Sequence, residues 1–389
     1  MNVGEAHANT QGSVTVSLSG KGETNRFLID DEDTGSLAAS VLVQPSLVIE
    51  DQTTRFDLSG SVRIDQYTKR YGSSETVTAS MGARTKVGER TSLSGNADFS
   101  SSRDGFQDPL LSNAGDLLDP PATTIPETGF PDVTAAGRQG RIDRYAANAQ
   151  VGHVFSPKDQ AALGVNATLE DARNATGDDF SQLGVQLSYA RKLSLHTSLL
   201  VGATFDLVDY RDQQIGDGRI VTSLIGVEHQ FTANPSVTAQ GGIVYTDIAT
   251  LDGQRDKKTG VAINFSLCDR TSRRGICATA GRSALPTSFG GITTTSEIAV
   301  NFDQQIGRDG RFSATVQYTR SNGILNIGLP DENDLRETYF ASARYSHKLS
   351  DRLRFFISPR YARREGNSNI RSESNYSAEV GISYRFGAR

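Results

Sequence analysis

Residues 374–386 read SNYSAEVGISYRF and alternate in character without a break. Tyr376, Ala378, Val380, Ile382, Tyr384 and Phe386 share one face of an extended segment, and Ser377, Glu379, Gly381, Ser383 and Arg385 share the other. Successive side chains of a strand point to opposite sides, so the pattern predicts one apolar face and one polar face. A strand in a soluble sheet needs only about five or six residues. This segment is longer, and it matches the length of a tilted strand crossing a bilayer, about 9–11 residues. Aromatics stand at both rims of its apolar face, as they do where a strand meets two membrane interfaces.

The same signature returns along the whole chain. Alternating segments at 12–19, 36–49, 54–66, 75–85 and 91–102 are followed, after a long stretch at 103–139, by 141–155, 160–171, 180–192 and 196–210. Further segments lie at 219–231, 236–249, 259–268, 276–285, 293–305, 311–321, 335–349 and 352–364. Counting the last strand, these make about eighteen. Pro109, Pro120, Pro121, Pro126 and Pro131 exclude regular strand from 103–139. The connections are alternately tight and long, which places all tight turns at one end and all long loops at the other. The expected fold is therefore an all-β, antiparallel, up-and-down transmembrane barrel of about 18 strands. Its tight turns are assigned to the periplasm and its long loops to the cell exterior. The expected organisation is an N-terminal periplasmic segment at 1–11, a barrel at 12–386 with 103–139 as an extracellular loop, and a tail at 387–389.

Composition agrees with a wall that is apolar on one side only. Hydrophobic residues are 36% of the 389, Trp is absent, and the net charge is −5. That charge balance gives no reason to expect a nucleic-acid partner. Patterned Val, Ile, Tyr and Phe argue against disorder. No run of about 18 apolar residues is present, so no transmembrane helix is expected. Ala6, His7 and Ala8 look like the tail of a signal-cleavage site, which would place the numbering inside or after a removed leader.

The terminal strand, ending Tyr384-Arg385-Phe386, resembles the assembly signal of Gram-negative outer-membrane barrels, with Gly387, Ala388 and Arg389 following where such chains usually stop. In its pattern of strands and turns the whole chain resembles outer-membrane porins, and more loosely the barrels that accompany exopolysaccharide export. The resemblance implies a cell outer-membrane location and contact with membrane lipid, lipopolysaccharide and the barrel-assembly machinery. It implies a passive conduit, with a periplasmic polysaccharide export protein as a partner if the cargo is a polymer.

Strand parity separates the lipid-facing from the lumen-facing residues. Early strands place Asp57, Asp65, Asp98, Asn96, Asn148, Gln150 and Asn166 inside. Late strands place Arg311, Arg336, Arg344, Lys348, Arg354, Arg360, Arg364 and Arg385 inside, beside Glu379. Such a basic wall focuses the potential felt by an anionic solute. Equally, these arginines can pair with Glu379, Glu373, Glu365 and loop acids to stiffen the wall. Few aromatics point inward, chiefly Phe340, Phe356 and Tyr210.

Cys268 and Cys277, the only cysteines, face one side across a short turn. An oxidising compartment favours a disulfide between them. His153, His229 and His347 fall near the tight turns on outward faces, as interfacial residues. No Ser–His pair falls in register on adjacent strands, so no enzyme, cofactor or metal is expected. Asp30, Asp31, Glu32 and Asp33 form an acidic loop, more often simply solvated than cation-binding. The expected function is export of an anionic exopolysaccharide across the outer membrane. The alternatives are general diffusion of small hydrophilic solutes, or a plugged barrel that anchors partners.

Overall fold

In the computed structural model, described for residues 9–26, 28, 34–69, 71–102, 141–173, 179–211, 216–231, 234–249, 254–287, 291–323, 335–365 and 372–387, eighteen antiparallel strands form one sheet. The side chains of Arg173, Leu335 and Arg336 fall outside that description. In chain order the strands are β1 (Asn9–Glu23), β2 (Ser36–Glu50), β3 (Thr54–Tyr67), β4 (Ser73–Lys86), β5 (Thr91–Ser102) and β6 (Arg141–Val154). They continue as β7 (Asp159–Arg173), β8 (Phe180–Lys192), β9 (Thr197–Tyr210), β10 (Gly218–Gln230), β11 (Pro235–Ala249) and β12 (Arg255–Arg270). The last six are β13 (Arg274–Pro286), β14 (Ile292–Ile306), β15 (Gly310–Gly323), β16 (Leu335–Lys348), β17 (Leu353–Glu365) and β18 (Glu373–Gly387).

Each strand pairs with its sequence neighbours, and β1 also pairs with β18, from Ser13↔Gly387 to Glu23↔Ser377. The sheet is thus a closed barrel without a free edge at the chain termini. Closure is what hydrocarbon demands, because an unpaired peptide group there costs several kcal/mol. The expected strand count and the alternation of tight and long connections are both present. Residues 1–8, the acidic loop at 30–33 and the long stretch at 103–139 lie outside the described residues.

Apolar residues of the outward face are exposed in the isolated chain, as lipid-facing groups must be; Val380 is 44% accessible and Leu18 53%. Aromatics flank this belt at both rims. Near the tight turns, Tyr384 packs edge-on against Phe386 with ring centroids 4.7 Å apart, His153 packs on Phe155 and His229 on Phe231. At the loop end, Tyr361 meets Tyr376, Tyr318 meets Tyr339 and Phe99 meets Tyr145, at 4.9–5.0 Å. Two such girdles are the mark of a membrane-embedded barrel. The histidines sit where parity put them, with Thr91 Oγ1 and Thr197 Oγ1 each 2.9 Å from His153 Nδ1 and His229 Nδ1.

The tight turns are built from side chains that satisfy the turn's own amides. Asp51 Oδ1 accepts from the N–H groups of Thr53 and Thr54 at 2.8 and 2.6 Å. Those two bonds hold the Asp51 carboxyl below its ordinary pKa. Ser156 Oγ donates to Asp159 Oδ2 at 2.6 Å in the next such turn but one.

One strand pair departs from the pattern. The β12–β13 ladder runs only from Ile263↔Arg282 to Arg270↔Gly275, eight pairs, whereas β1–β2 has fifteen and even β16–β17 has ten. Above Ile263, β12 stays paired with β11 and β13 stays paired with β14, but the two ladders part. Ala284 and Ile292, which belong to the outward face of the β13–β14 hairpin, pack against Phe180, Val208, Tyr210, Ile220, Val244 and Ala262, which all have inward parity. The hairpin end has therefore slid inside the wall formed by β8–β12, as the edge of a scroll overlaps itself. Tyr210 Oη donates to the carbonyl of Gly291 at 2.5 Å across that contact. Gly218 makes room for it, since a Cβ there would stand 2.9 Å from Ile292 Cδ1. This places the hairpin ends at Ala284 and Ile292 partly inside the barrel.

Cys268 and Cys277 form a disulfide within the shortened ladder, where they are directly paired with Cα atoms 4.1 Å apart. Mass analysis of the peptide spanning both residues should show the two-hydrogen difference on reduction; alkylation without reduction would show the bridge absent. Its loss is expected to cost about 2–3 kcal/mol for so short a loop.

The face assignment has its own test. Val380→Arg puts a cation on the lipid face of β18 and is expected to cost roughly 2–4 kcal/mol and to impair assembly. Asn148→Arg, on an inward and half-exposed position of β6, should leave assembly intact. Equal damage, read from heat-modifiable gel migration, would show that these faces are not lipid and lumen.

Candidate functional site

The candidate site is the lumen wall, and its two ends differ. Inward side chains of the loop-end halves, such as Asp65, Glu170, Val208, Thr319 and Asn375, are buried. Inward side chains nearer the tight turns, such as Asn96, Asn148, Gln150, Arg311 and Lys348, are half-exposed. Many of the polar residues that parity sent inward thus stand half-exposed in the turn-end part of the lumen.

Barrel closure brings strands from the two ends of the sequence together, and a buried ionic cluster forms where they meet. Lys21 of β1 lies 3.0 Å from Asp65 Oδ2 and 3.1 Å from Glu23 Oε1. Arg63 of β3 donates to Asp65 Oδ1 at 2.8 Å and reaches Glu379 Oε1 of β18 at 3.2 Å. Glu379 also accepts from Ser19 Oγ at 2.6 Å and from Arg360 at 3.3 Å. Tyr67 Oη donates to Glu23 at 3.0 Å, and Lys21 lies 5.4 Å from its ring centroid. Opposite charges alternate through this cluster, so each buried ion has counter-charges and hydrogen bonds, the condition under which burial is tolerable.

The sequence placed Asp65, Glu379 and Arg360 inside but did not bring them together, and it missed Lys21 and Arg63. The signal was present, since Lys21, Glu23, Arg63 and Asp65 share inward parity. What parity lacks is the stagger that sets them opposite β18. The expectation of a basic wall confined to the late strands is corrected accordingly. Arg360 is tied to Glu379, and cations of β1 and β3 belong to the same cluster.

The remaining candidate residues have varied surroundings. Arg311 donates to Asp303 Oδ2 at 2.8 Å, and Lys348 lies 2.6 Å from Asp351. Arg344 stacks its guanidinium over the Phe356 ring, 4.0 Å from the centroid. Arg354, Arg364 and Arg385 stand at inward positions, opposite Ser383, Glu373 and Thr15. Arg336 pairs with Ser321 through its backbone, and its side chain lies outside the described residues. Asp57 is gripped by Arg55 at 3.0–3.1 Å near the turn end, and Asp98 accepts from Asn96 at 2.7 Å. Asp206 of β9, absent from the expected set, accepts from Gln182 at 3.0 Å and Asn166 at 3.3 Å. Gly184 permits that cluster, because a Cβ there would overlap Asp206 Oδ1. Inward aromatics also exceed expectation, with Tyr67 and Phe180 added to Tyr210, Phe340 and Phe356.

No family model matches this chain, and no curated protein matches it. Among solved structures, the FrpB iron transporter of Neisseria meningitidis (F5-1 variant) has a TM-score of 0.49 at 7% identity, covering 97% of this chain and 83% of the other. OccK2 (OpdF) of Pseudomonas aeruginosa gives 0.48 at 8%, covering 97% and 98%. OccAB4 of Acinetobacter baumannii gives 0.43 at 9%, covering the full length of both chains. At these identities no residue role passes from one chain to another. With its closed wall, apolar belt and paired aromatic girdles, the chain has the build of a membrane-spanning β-barrel.

Glu379 is the keystone of the ionic cluster. Glu379→Ala leaves Arg63 and Arg360 buried without their shared carboxylate and is expected to cost about 3 kcal/mol, as a lowered temperature of heat-modifiable unfolding. Asp57→Asn breaks an exposed pair and should cost well under about 1 kcal/mol. Equal effects would show that the cluster does not lock the closure.

Proposed function

We propose that the barrel is a passive, anion-preferring diffusion conduit for small hydrophilic solutes. The supporting observation is the half-exposed polar lining of the turn-end lumen within a closed wall of eighteen strands. A barrel of eight strands is filled by its own side chains, whereas 16–18 strands leave an aqueous interior. On β16–β18 the inward positions carry Arg344, Lys348, Arg354, Arg360, Arg364 and Arg385 against Glu373 and Glu379. That excess favours anions through a local potential in a low-dielectric wall.

Guidance of an acidic polymer has less support. A polymer track needs cations that turn toward the solute along the whole passage. Arg360 is instead committed to Glu379, Arg311 to Asp303 and Lys348 to Asp351. The buried loop-end lining also suits a solute of modest cross-section better than a continuous chain.

Planar-bilayer recording tests the reading. Stepwise conductance with a preference for chloride over potassium is expected. Replacing Arg344, Arg354 and Arg385 together by glutamine should move the reversal potential toward neutrality while the barrel still assembles. High salt should weaken the preference, since screening acts over a Debye length of about 10 Å at 0.1 M. A silent bilayer would favour a plugged anchor, and unchanged selectivity would remove the arginines from the argument.

A further inference from the structure

The charges that face the lumen are distributed unequally between its two ends. In the loop-end halves of the strands, each described inward cation stands beside an inward acid. The ionic cluster balances Lys21, Arg63 and Arg360 internally. Elsewhere at that end Arg144 pairs across its ladder with Glu170, Lys258 lies 3.7 Å from Asp256, and Arg364 stands opposite Glu373. Opposite charges this close cancel at a distance, so the loop end presents little net potential to a solute.

The turn end is different. Arg84 and Lys86 stand at the end of β4 and Lys192 ends β8, and all three are exposed. Alternation from Ser80 and Gly82, and from Gln186 and Ser188, sends them inward. The turn-end wall between them is neutral, with Ser92, Ser94, Gln150 and Gln160 at inward positions. Among the described residues, no inward acid occupies the last four turn-end positions of any strand from β4 to β9, and none of these three cations has an ion-pair partner. The nearest acids do not change this. Asp57, on the strand beside Arg84, is held by Arg55, and Glu228 lies two strands from Lys192 with Ser198 between. Across the barrel, Arg311 is by contrast bonded to Asp303 and Lys348 to Asp351.

We propose that Arg84, Lys86 and Lys192 form the anion filter of the conduit and that, because they stand at one end only, the lumen rectifies, passing anions more readily from the turn end toward the loop end. This rests on the diffusion reading and deepens it, naming the selecting residues and a sense of passage. Unpaired cations in a low-dielectric mouth raise the local concentration of anions and repel cations. With the loop side positive, anions enter through the filter while cations driven the other way are held back at it, so both accumulate in the lumen. With the voltage reversed, anions leave through the filter and cations are refused entry there, so the lumen is depleted of both. At zero voltage the asymmetry moves nothing, since a passive pore only relaxes a gradient.

Single-pore recording in symmetric potassium chloride tests the filter. Both native cysteines are joined in the disulfide, so Ser194→Cys in the β8–β9 turn supplies one free thiol. The side from which a maleimide-linked polyethylene glycol reduces the current then identifies the turn end. At about 0.1 M salt the current with the loop side positive should exceed that at the opposite voltage about twofold, and the ratio should approach one near 1 M, where the Debye length falls to about 3 Å. Arg84→Gln, Lys86→Gln and Lys192→Gln together should abolish the asymmetry and move the reversal potential in a salt gradient toward neutrality, with heat-modifiable gel migration unchanged. Should that triple variant fail to assemble, Lys86→Gln and Lys192→Gln singly should each lower the ratio. In the triple background, Thr76→Lys with Thr168→Lys puts cations at half-exposed inward positions of the loop-end halves and should restore anion preference with rectification of the opposite sense. A symmetric native current at low salt overturns the inference, as does a larger current with the loop side negative or rectification that survives the substitutions. A pore that conducts and prefers anions with any of those results loses only the filter. A silent bilayer or a cation-preferring pore loses the diffusion reading and the filter with it.

Discussion

Everything in this molecule answers to one constraint, that peptide groups inside hydrocarbon must be bonded to one another. A sheet meets that demand only by closing, and here closure joins Asn9–Glu23 to Glu373–Gly387 across the full length of the sequence. Alternation follows from it, because each strand then has one face toward lipid and one toward the lumen. The departure at β12–β13 is informative for the same reason. Where the ladder is shortest, a covalent bridge between Cys268 and Cys277 ties the two strands within the part that remains paired. The disulfide fixes the turn end of the pair, and the loop end is left to part without unzipping the wall.

The lumen charges obey the second consequence of closure. An ion on the inner wall can be satisfied by strands that are remote in sequence but adjacent in the barrel. Glu379 draws on Arg63, Arg360 and Ser19, from β3, β17 and β1. Such a cluster stiffens the place where the first and last strands meet. Its cations are consequently poor guides for a mobile solute, and the half-exposed groups nearer the tight turns are better placed for that task.

Much of this was legible in the sequence. Period-two alternation, tight turns at one end and aromatic rims gave the strand count, the faces and the membrane setting. The ionic cluster was not legible, since alternation says which face a residue takes but not which remote strand it meets. The overlap was hidden for a different reason. Near their loop ends β9, β10 and β11 carry apolar residues on both faces, as in Leu207 beside Val208, Ile220 beside Val221 and Ile243 beside Val244. Such doublets read as a slightly untidy lipid face. They are the trace of a second covered surface, and a break in alternation confined to neighbouring strand ends was the signal available.

Near its loop end the wall is thus held by two opposite kinds of contact. On one side, Lys21, Arg63, Asp65, Glu23 and Glu379 hold one another in a buried ionic cluster. On the other, Ala284 and Ile292 rest on an apolar shelf, with one tyrosine hydroxyl as the polar contact. These differ in what loosens them. Removing one ion from the cluster leaves its buried partners with less counter-charge, which is costly. Apolar contact is non-directional, and Phe180, Val208, Ile220 and Val244 are buried by shape and area and not by specific bonds. The smallness of Ala284 and the missing side chain at Gly218 keep that contact shallow. The loop end is therefore held by directional charge pairs on one side and by non-directional apolar contact on the other, where the β12–β13 ladder is shortest.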